Sequence, residues 1–470
     1  MGRNSQQRRA AKQRKESARE RNRAARPQPS TYGGPRDTSY VRDDIFDRRS
    51  DRTQDRSTEI IHRLIAGARV SYGPDANEAV VERAVDDLCI VSASVDDGTI
   101  EGALTDQVEG FLGRLWESGW QPSDIAHVVR RSTNARTSRL TNELVARSAA
   151  LQRDDRPTEW DDQLDALGAI VDALAPVVQQ WQVNEGHELA TTIRTGMLVI
   201  GCLATLPKIS PIIEPPSRWG RFSSVRRPAS PGATGVDSKT LAKIRGLLAK
   251  AEATEFAAEA ESFSAKAQEL MARYAIDAAM VQPDRGHDAL AGEVRSRRIH
   301  IDDPYGAEKA QLVGSVASVN QGRVVWDPSF SFATVVGFPV DLDLIELLFT
   351  SLLVQVTRAM SDAAQDAGHT RSRSFRRAFL IAYAGRIRER LLEARQYAQA
   401  EATTQYGTAL VPVLAARIEA VDDVTDDLFP QSRPMRTRTL DARGYYAGRA
   451  AADIANIETG SGMIDQRQAS

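Results

Sequence analysis

Residues 237–281 read DSKTLAKIRGLLAKAEATEFAAEAESFSAKAQELMARYAIDAAMV, and their apolar side chains recur at helical spacing. On a helical wheel of about 100° per residue, one apolar face is made of Leu241, Ile244, Leu247 and Leu248. A second apolar face extends from Phe256 to Tyr274 and stays within about 100° of arc. Each face can be buried only against the other and against a further element, so this stretch predicts a helical hairpin.

The first helix of this hairpin also carries a cationic face. Lys239, Lys243 and Lys250 align on one side of it, away from the leucines. Asp237 or Ser238 is the expected N-cap, because a short oxygen-bearing side chain can accept a hydrogen bond from the first turn. We therefore expect the three lysines to be held on a rigid element.

Between about residues 58 and 206, apolar residues again recur at helical spacing, which predicts an all-α domain. The segment from Trp116 to Trp120, followed by Pro122-Ser123-Asp124, is typical of a helix, a turn and a new helix. The pattern from Trp160 to Trp181 predicts one amphipathic helix, bent at Pro176. A final apolar helix is expected at about 189–206.

The C-terminal region has mixed periodicity and predicts an α+β domain over 294–460 with a small sheet. Strands are expected at 294–301, 323–326 and 332–337. Helices are expected at 307–319, 341–365, 375–405 and 445–457, with a loop at 425–434 between the last two. The expected fold class is therefore mainly α and multidomain: an N-terminal all-α domain, a central helical hairpin and this α+β domain.

Charge is distributed unevenly along the 470 residues, although the formal net charge is only -2. Residues 1–26 contain eight Arg and two Lys against two Glu, so this segment carries +8 and the remainder about -10. Because the segment lacks large apolar residues, we expect residues 1–57 to form a disordered basic tail and linker. Residues 207–236, rich in Pro and Arg, predict a solvated tether between domains, although Arg beside Trp219 and Phe222 could also contact nucleic acid.

The two cysteines, Cys89 and Cys202, are too few and too far apart for a disulfide framework or a cysteine-based metal site. The longest apolar run, Met197 to Leu206, is about half the length needed to span a bilayer. These observations favour a protein of a reducing compartment, and we expect a cytoplasmic location without membrane contact.

Two pieces of the hairpin support a family resemblance. Lys-Ile-Arg-Gly-Leu-Leu at 243–248 and Lys-Ala-Gln-Glu-Leu-Met at 266–271 occur in the order and spacing of a bacterial and phage family, domain of unknown function 2786, which the chain resembles over about 238–281. Residues 299–460 are similar to its companion, domain of unknown function 7168, and the helical region before the hairpin looks like an actinobacterial extension. The resemblance implies an architecture but no catalytic residues, because these families have no assigned activity.

The sequence contains neither G-x-x-x-x-G-K-[ST] nor a strand-linked G-x-G-x-x-G, which weakens ATPase and dinucleotide-enzyme hypotheses. His187-Glu188 lacks the second histidine of a zinc peptidase motif, and the other histidines stand alone. The acid pair Asp302-Asp303 after His300, and the pairs at 422–423 and 426–427, could hold Mg²⁺ or be solvated turns.

Basic clusters are the remaining signal. Seven arginines lie between Arg371 and Arg390, and those that begin this helix could bind phosphates or pair with acids such as Glu389 and Glu393. Together with the tail, the tether and the lysine face, they favour a non-enzymatic protein that binds DNA or RNA. The candidate binding residues are Arg8, Arg9, Lys12, Arg14, Lys15, Lys239, Lys243, Lys250, Arg373, Arg376 and Arg377.

Two alternatives remain open from the sequence. One is an enzyme whose polar site lies between 299 and 337 and the Arg-rich helix, where His300, Asp302 or Asp341 would meet arginines. The other is a scaffold that binds a protein partner. No cofactor and no metal is expected, and the oligomeric state stays open. Gly444 and Gly448, one turn apart, predict a helix that closely approaches its neighbour.

Overall fold

The computed structural model describes residues 43–96, 98–152, 156–168, 176–219, 242–250, 257–280, 286–366, 372–433 and 441–454. The chain divides into two compact units, Met1–Glu59 and Ile60–Ser470. As predicted, the fold is mainly α with one small three-stranded antiparallel sheet. Among the described residues, no helix is both long enough and apolar enough to cross a membrane.

The described residues from Ile60 to Trp219 form helices and their connections, and buried tryptophans lie at the centre of this helical bundle. Trp116, Trp120, Trp160 and Trp181 are all fully buried. The rings of Trp116 and Trp160 meet edge to face at 5.2 Å. The helices before the hairpin are α1 (Asp43–Arg69), α2 (Glu78–Ser92), α3 (Thr99–Glu117), α4 (Pro122–Ser132), α5 (Ala135–Ala150), α6 (Thr158–Leu167), α7 (Val177–Glu185) and α8 (Leu189–Ala204).

The helix predicted from Trp160 to Trp181 is wrong, because α6 ends at Leu167. Gly168 closes α6 in the left-handed conformation with φ 64°. Glycine reaches this conformation without a Cβ penalty, so it is a frequent helix terminator. The apolar spacing continued beyond Gly168 and concealed the break.

The first part of the expected tether is docked on the bundle instead of being solvated. Trp219 is 4% exposed and packs edge to face on Trp160 at 5.1 Å. The Trp120 indole donates a hydrogen bond to the Pro207 carbonyl at 2.7 Å. The tether prediction is therefore wrong for residues 207–219, while 220–236 lie outside the described residues.

The hairpin contributes α9 (residues 242–250) and α10 (Ala257–Met280). Ile244 and Leu248 of α9 are buried against Ala267 and Met271 of α10. The predicted pairing of apolar faces is confirmed for these residues. Leu344, from the α+β part, completes the cluster, so the hairpin packs on a third element.

The α+β part is built around strands β1 (Arg295–His300), β2 (Arg323–Asp327) and β3 (Phe332–Gly337), with β3 in the centre. His300 of β1 and Asp327 of β2 both pair with Phe332 in the antiparallel register. The surrounding helices are α11 (His287–Ala291), α12 (Gly306–Val319), α13 (Pro339–Asp366), α14 (Arg373–Tyr406), α15 (Leu410–Leu428) and α16 (Ala442–Ile454).

The loop expected at 425–434 is wrong for its first four residues, because α15 extends to Leu428. Its apolar face from Leu410 to Val421 was not recognised in the sequence. Pro412 does not prevent this helix, because it lies in the first turn, where the missing N–H has no intrahelical partner to lose.

Gly444 and Gly448 let α16 approach α14 closely, as predicted. A Cβ atom at Gly444 would overlap the backbone carbonyl of Phe375, and one at Gly448 would overlap that of Phe379. Backbone atoms cannot move aside like a flexible side chain, so the glycines set the spacing of these two helices.

We predict that Gly448→Ala destabilises the protein by about 1–3 kcal/mol or more, because the added methyl group meets the Phe379 carbonyl. Urea denaturation of the full chain would measure the loss. Gly385→Ala is the matched control in α14, since a Cβ there has no neighbour within 4 Å. It should instead stabilise by about 0.5–1 kcal/mol through helix propensity. Equal effects of the two substitutions would contradict the packing argument.

Candidate nucleic-acid interface

The cationic face of α9 consists of Lys243, Arg245 and Lys250, all exposed. Residues 242–250 contain no acidic side chain, so this nine-residue helix has a formal charge of +3. Within the described part of the chain, neither Lys243 nor Arg245 forms an ion pair. Lys243 and Arg245 therefore present their charges to solvent.

The centre of this face carries only small residues. Ala242, Gly246 and Ala249 are exposed and lie within about 60° of each other on a helical wheel. Lys243 and Lys250 flank them on one side, and Arg245 flanks them on the other. A Cβ at Gly246 would have no neighbour within 4 Å. A polyanion could thus approach the α9 backbone between two rows of cations.

Packing on the opposite side keeps the cationic face turned outward. Ile244 and Leu248 are buried beneath α9, and Leu247 is half buried beside them. Because these apolar residues cannot leave the core without losing several kcal/mol of transfer free energy, α9 cannot rotate its cations inward. The sequence analysis identified Lys243 and Lys250 but did not include Arg245, because on the helical wheel Arg245 lies between the apolar face and the lysines.

Several of the predicted binding residues lie outside the described residues, and their part in binding stays a prediction. These are the tail residues and the first lysine of the hairpin: Arg8, Arg9, Lys12, Arg14, Lys15 and Lys239.

The predicted arginines at the start of α14 have three different environments. Arg373 is exposed. The Nε of Arg376 is buried and makes no hydrogen bond within the described chain. Arg377 donates from Nε to the buried carboxylate of Glu308 on α12 at 2.6 Å. One of the three is thus engaged in holding α12 against α14.

Most later arginines of α14 also bind neighbouring elements of the fold. Arg386 pairs with both Asp453 and Glu389, the latter at 2.9 Å. Two others donate to backbone carbonyls, Arg390 to Ala452 and Arg395 to Val319. Contacts within the fold therefore account for Arg386, Arg390 and Arg395, as the hypothesis of structural pairing predicts for this helix.

The α9 cations and the arginines at the start of α14 lie on different elements. Helix α9 packs on Leu344 of α13, whereas Arg377 of α14 is held by Glu308 of α12.

A second charged site, which the sequence did not reveal, joins the helical bundle to the sheet. Asp124 of α4 is completely buried. Its Oδ2 accepts hydrogen bonds from the Arg298 guanidinium at 2.5 Å and from the Gln121 backbone N–H at 3.1 Å. Its Oδ1 lies 2.9 Å from Nε2 of His300. Burial alone would raise the pKa of Asp124, but Arg298 and His300 outweigh burial and lower it, so the carboxylate stays ionised.

His127 stacks on His300 in this cluster, with ring centroids 4.7 Å apart and planes inclined by 19°. Burial, together with the positive charges of His300 and Arg130, lowers the pKa of His127 to about 4. Two histidines that stand alone in the sequence are therefore neighbours in the structure, and His127 is neutral at physiological pH.

The rim of the cluster explains the acid pair after His300. Arg130 binds Asp302 and Arg131 binds Asp303, each at 2.8 Å. Among the described residues, no three metal-ligating side chains are grouped. These two carboxylates thus pair with two consecutive arginines of α4.

Asp341 does not join His300 and Asp302, contrary to the site considered for an enzyme. It pairs with Arg417 of α15 at 2.9 Å, and both side chains are buried. Burial raises the pKa of Asp341, and Arg417 offsets this only in part. The arginine also lies over the Phe338 ring at 3.6 Å. The candidate polar residues therefore divide between two separate buried clusters.

Comparison with known proteins adds one match. Residues 239–278 match the family described as protein of unknown function (DUF2786). The match covers α9 and nearly all of α10, the two helices of the hairpin. No curated protein and no solved structure matches the chain. The similarity of 299–460 to a companion domain stays a prediction.

We predict that Asp124→Asn destabilises the protein by about 3–5 kcal/mol, because it leaves the charge of Arg298 buried without a counter-ion. Chemical denaturation followed by tryptophan fluorescence would measure it, since the bundle contains the buried tryptophans. Asp302→Asn breaks an ion pair at the exposed rim and should cost less than about 1 kcal/mol. Similar losses for both variants would contradict the assigned role of Asp124.

We also predict a pH dependence that His127 causes. Its pKa is about 4 in the folded protein and 6.5 in the unfolded chain, so the unfolded state binds more protons between these values. Stability should therefore fall as the pH drops from about 6.5 towards 4, by up to about 3 kcal/mol. His127→Gln should flatten this part of a stability-against-pH curve, and an unchanged slope would contradict the prediction.

Proposed function

We propose that this protein binds nucleic acid, with the cationic face of α9 as the contact on the folded part and the basic tail as a second contact. The observation that supports this most directly is that Lys243 and Arg245 are exposed and without an ion pair in the described chain, with the exposed Lys250 on the same face. This face falls within the segment that matches the family model.

The geometry of the face favours contact with the phosphate backbone. Cations on both sides of a row of small residues can each reach a phosphate while the helix backbone comes close. Ala242, Gly246 and Ala249 have no side-chain donors or acceptors, so they cannot read base edges by hydrogen bonds. We therefore expect affinity with little sequence preference and a strong dependence on salt.

The basic tail would strengthen the interaction of α9 with the phosphate backbone. Residues 1–26 carry +8, and a chain segment joined to a folded contact raises the local concentration of cations at the phosphate backbone. The arginines at the start of α14 have a lesser part, because Arg377 is engaged with Glu308 and Arg376 is half buried.

The test is a titration of the full chain against fluorescent duplex DNA and single-stranded RNA at about 50 and 200 mM salt. In one variant, Lys243, Arg245 and Lys250 are all replaced by Gln. Its plot of log affinity against log salt for duplex DNA should be less steep by about 2.7, since each lost phosphate contact removes about 0.9. Deletion of residues 1–26 should reduce the slope further.

Lys266→Gln provides a matched control on the second helix of the hairpin. Lys266 is engaged with Glu269 at 2.6 Å, so its loss should leave the slope within error of the unchanged chain. Absence of salt-sensitive binding by the full chain would overturn the proposed function. Binding that neither the triple substitution nor the tail deletion alters would also overturn it.

A further inference from the structure

A cleft of about 200 Å³ opens beside the first two turns of α3. It lies on the helical bundle and is separate from both the α9 face and the Asp124 cluster. Its walls come from α3, α5 and the start of α7. The lining residues are Gly98, Glu101, Gly102, Thr105, Asp106, Arg147, Pro176 and Gln179.

Glu101 is the unusual member of this lining. The residue is only 9% exposed, and its carboxylate has no hydrogen-bond or ion-pair partner within the described chain. The neighbouring Thr105 hydroxyl does not serve it, since it donates to the Glu101 backbone carbonyl at 2.8 Å. Neither carboxylate oxygen of Glu101 is among the buried atoms without a partner, so the end of this side chain can be reached from the cleft while the rest of the residue is buried.

Glu101 also lies at the start of α3. It lies in the first turn of the helix, where the positive end of the helix dipole stabilises a negative charge. Glu101 therefore contributes an acidic side chain to the lining of the cleft.

Among the described residues that line the cleft, Arg147 is the one cation, and it is already engaged with another acid. Nε of Arg147 lies 3.1 Å from Oε1 of Glu109, one turn beyond the lining residues of α3. Burial raises the pKa of Glu109, Arg147 offsets this in part, and the negative charge of Asp106 adds to the rise. Glu101 and Asp106 thus give the cleft a net negative charge.

We propose that this cleft binds a small organic cation, a primary ammonium or guanidinium group. Its volume is below the roughly 300–1,000 Å³ of sites for drug-sized ligands, which suits a short alkyl cation. Glu101 would pair with the cation, Asp106 would attract it at the mouth, and the Gln179 amide oxygen and Pro176 would contact its donors and its chain. An organic cation fits better than Ca²⁺, which binds six to eight oxygen atoms, because two carboxylates line the cleft among the described residues. The separate titration with MgCl₂ distinguishes an organic cation from Mg²⁺.

Two glycines keep the cleft open. Gly98 has φ 79°, and a Cβ there would lie 3.5 Å from the Gln179 amide oxygen. A Cβ at Gly102 would have no neighbour within 4 Å, so a larger side chain at this position would enter open space at the cleft. A substitution of Gly102 by a larger residue should therefore block the cleft without a clash in the core.

The test is calorimetric titration of the full chain with 1,4-diaminobutane, agmatine and, separately, MgCl₂. We expect one of the two amines to bind, and Glu101→Gln to weaken that binding about tenfold or more through loss of a charged hydrogen bond. Without the amine, Glu101→Gln should melt at nearly the same temperature as the unchanged chain, because the substitution removes no side-chain hydrogen bond or ion pair formed within the described chain. Asp86→Asn, an exposed acid on α2, is the control and should leave binding unchanged.

Gly102→Leu gives a second, independent test. It should abolish amine binding while the thermal midpoint stays equal or rises, since leucine favours the helix more than glycine. Three results would overturn the proposal: no heat from either amine, binding that neither variant weakens, or binding of Mg²⁺ alone.

Discussion

The buried carboxylate of Asp124 is the constraint on which the arrangement of the bundle and the sheet depends. One oxygen accepts from both the Gln121 backbone N–H, at the start of α4, and Arg298, while the other lies within hydrogen-bonding distance of His300. The Asp124 carboxylate, which caps the start of α4, therefore also holds Arg298 and His300 of β1. Trp120 packs edge to face on Phe332 next to it, at 5.9 Å, so apolar contact surrounds the charged centre. Removing water from this centre strengthens each hydrogen bond and makes any unpaired charge costly.

Pairing with acids inside the fold, as Asp124 pairs with Arg298, leaves many arginines unavailable for binding a partner. Arg298, Arg377 and Arg417 each pair with a buried acid, and Arg130 and Arg131 pair with the acids at the rim. A high content of arginine is thus a weak indicator of a polyanion partner in this chain. The α9 face differs because its helix has no acid of its own and its apolar side holds the cations outward. Their placement, not their number, supports a role in binding.

Periodicity was sufficient to predict most helices and all three strands, because each depends on residues within a few positions of one another. It failed where a single residue interrupted a continuing pattern, as Gly168 does at the end of α6. It could not predict the Asp124 cluster either. Asp124 and His300 are 176 residues apart, and each has an ordinary local interpretation, a helix-capping acid and a lone histidine. Only the packing of β1 on α4 brings them together. The cleft at Glu101 was invisible for the same reason, since its walls come from three helices.

The two proposed sites have opposite charge, and their different exposure makes their response to salt different. Lys243 and Arg245 lie in solvent, so phosphate contacts there displace condensed counter-ions, and affinity depends steeply on salt. Glu101 is largely buried, and screening by mobile ions is weak for a pair formed inside a cleft. A small cation held by Glu101 should therefore stay bound at salt concentrations that release a nucleic acid from α9. Two salt titrations, one with the nucleic acid alone and one with the amine alone, would separate the two activities, because the amine would also bind the nucleic acid if both were present.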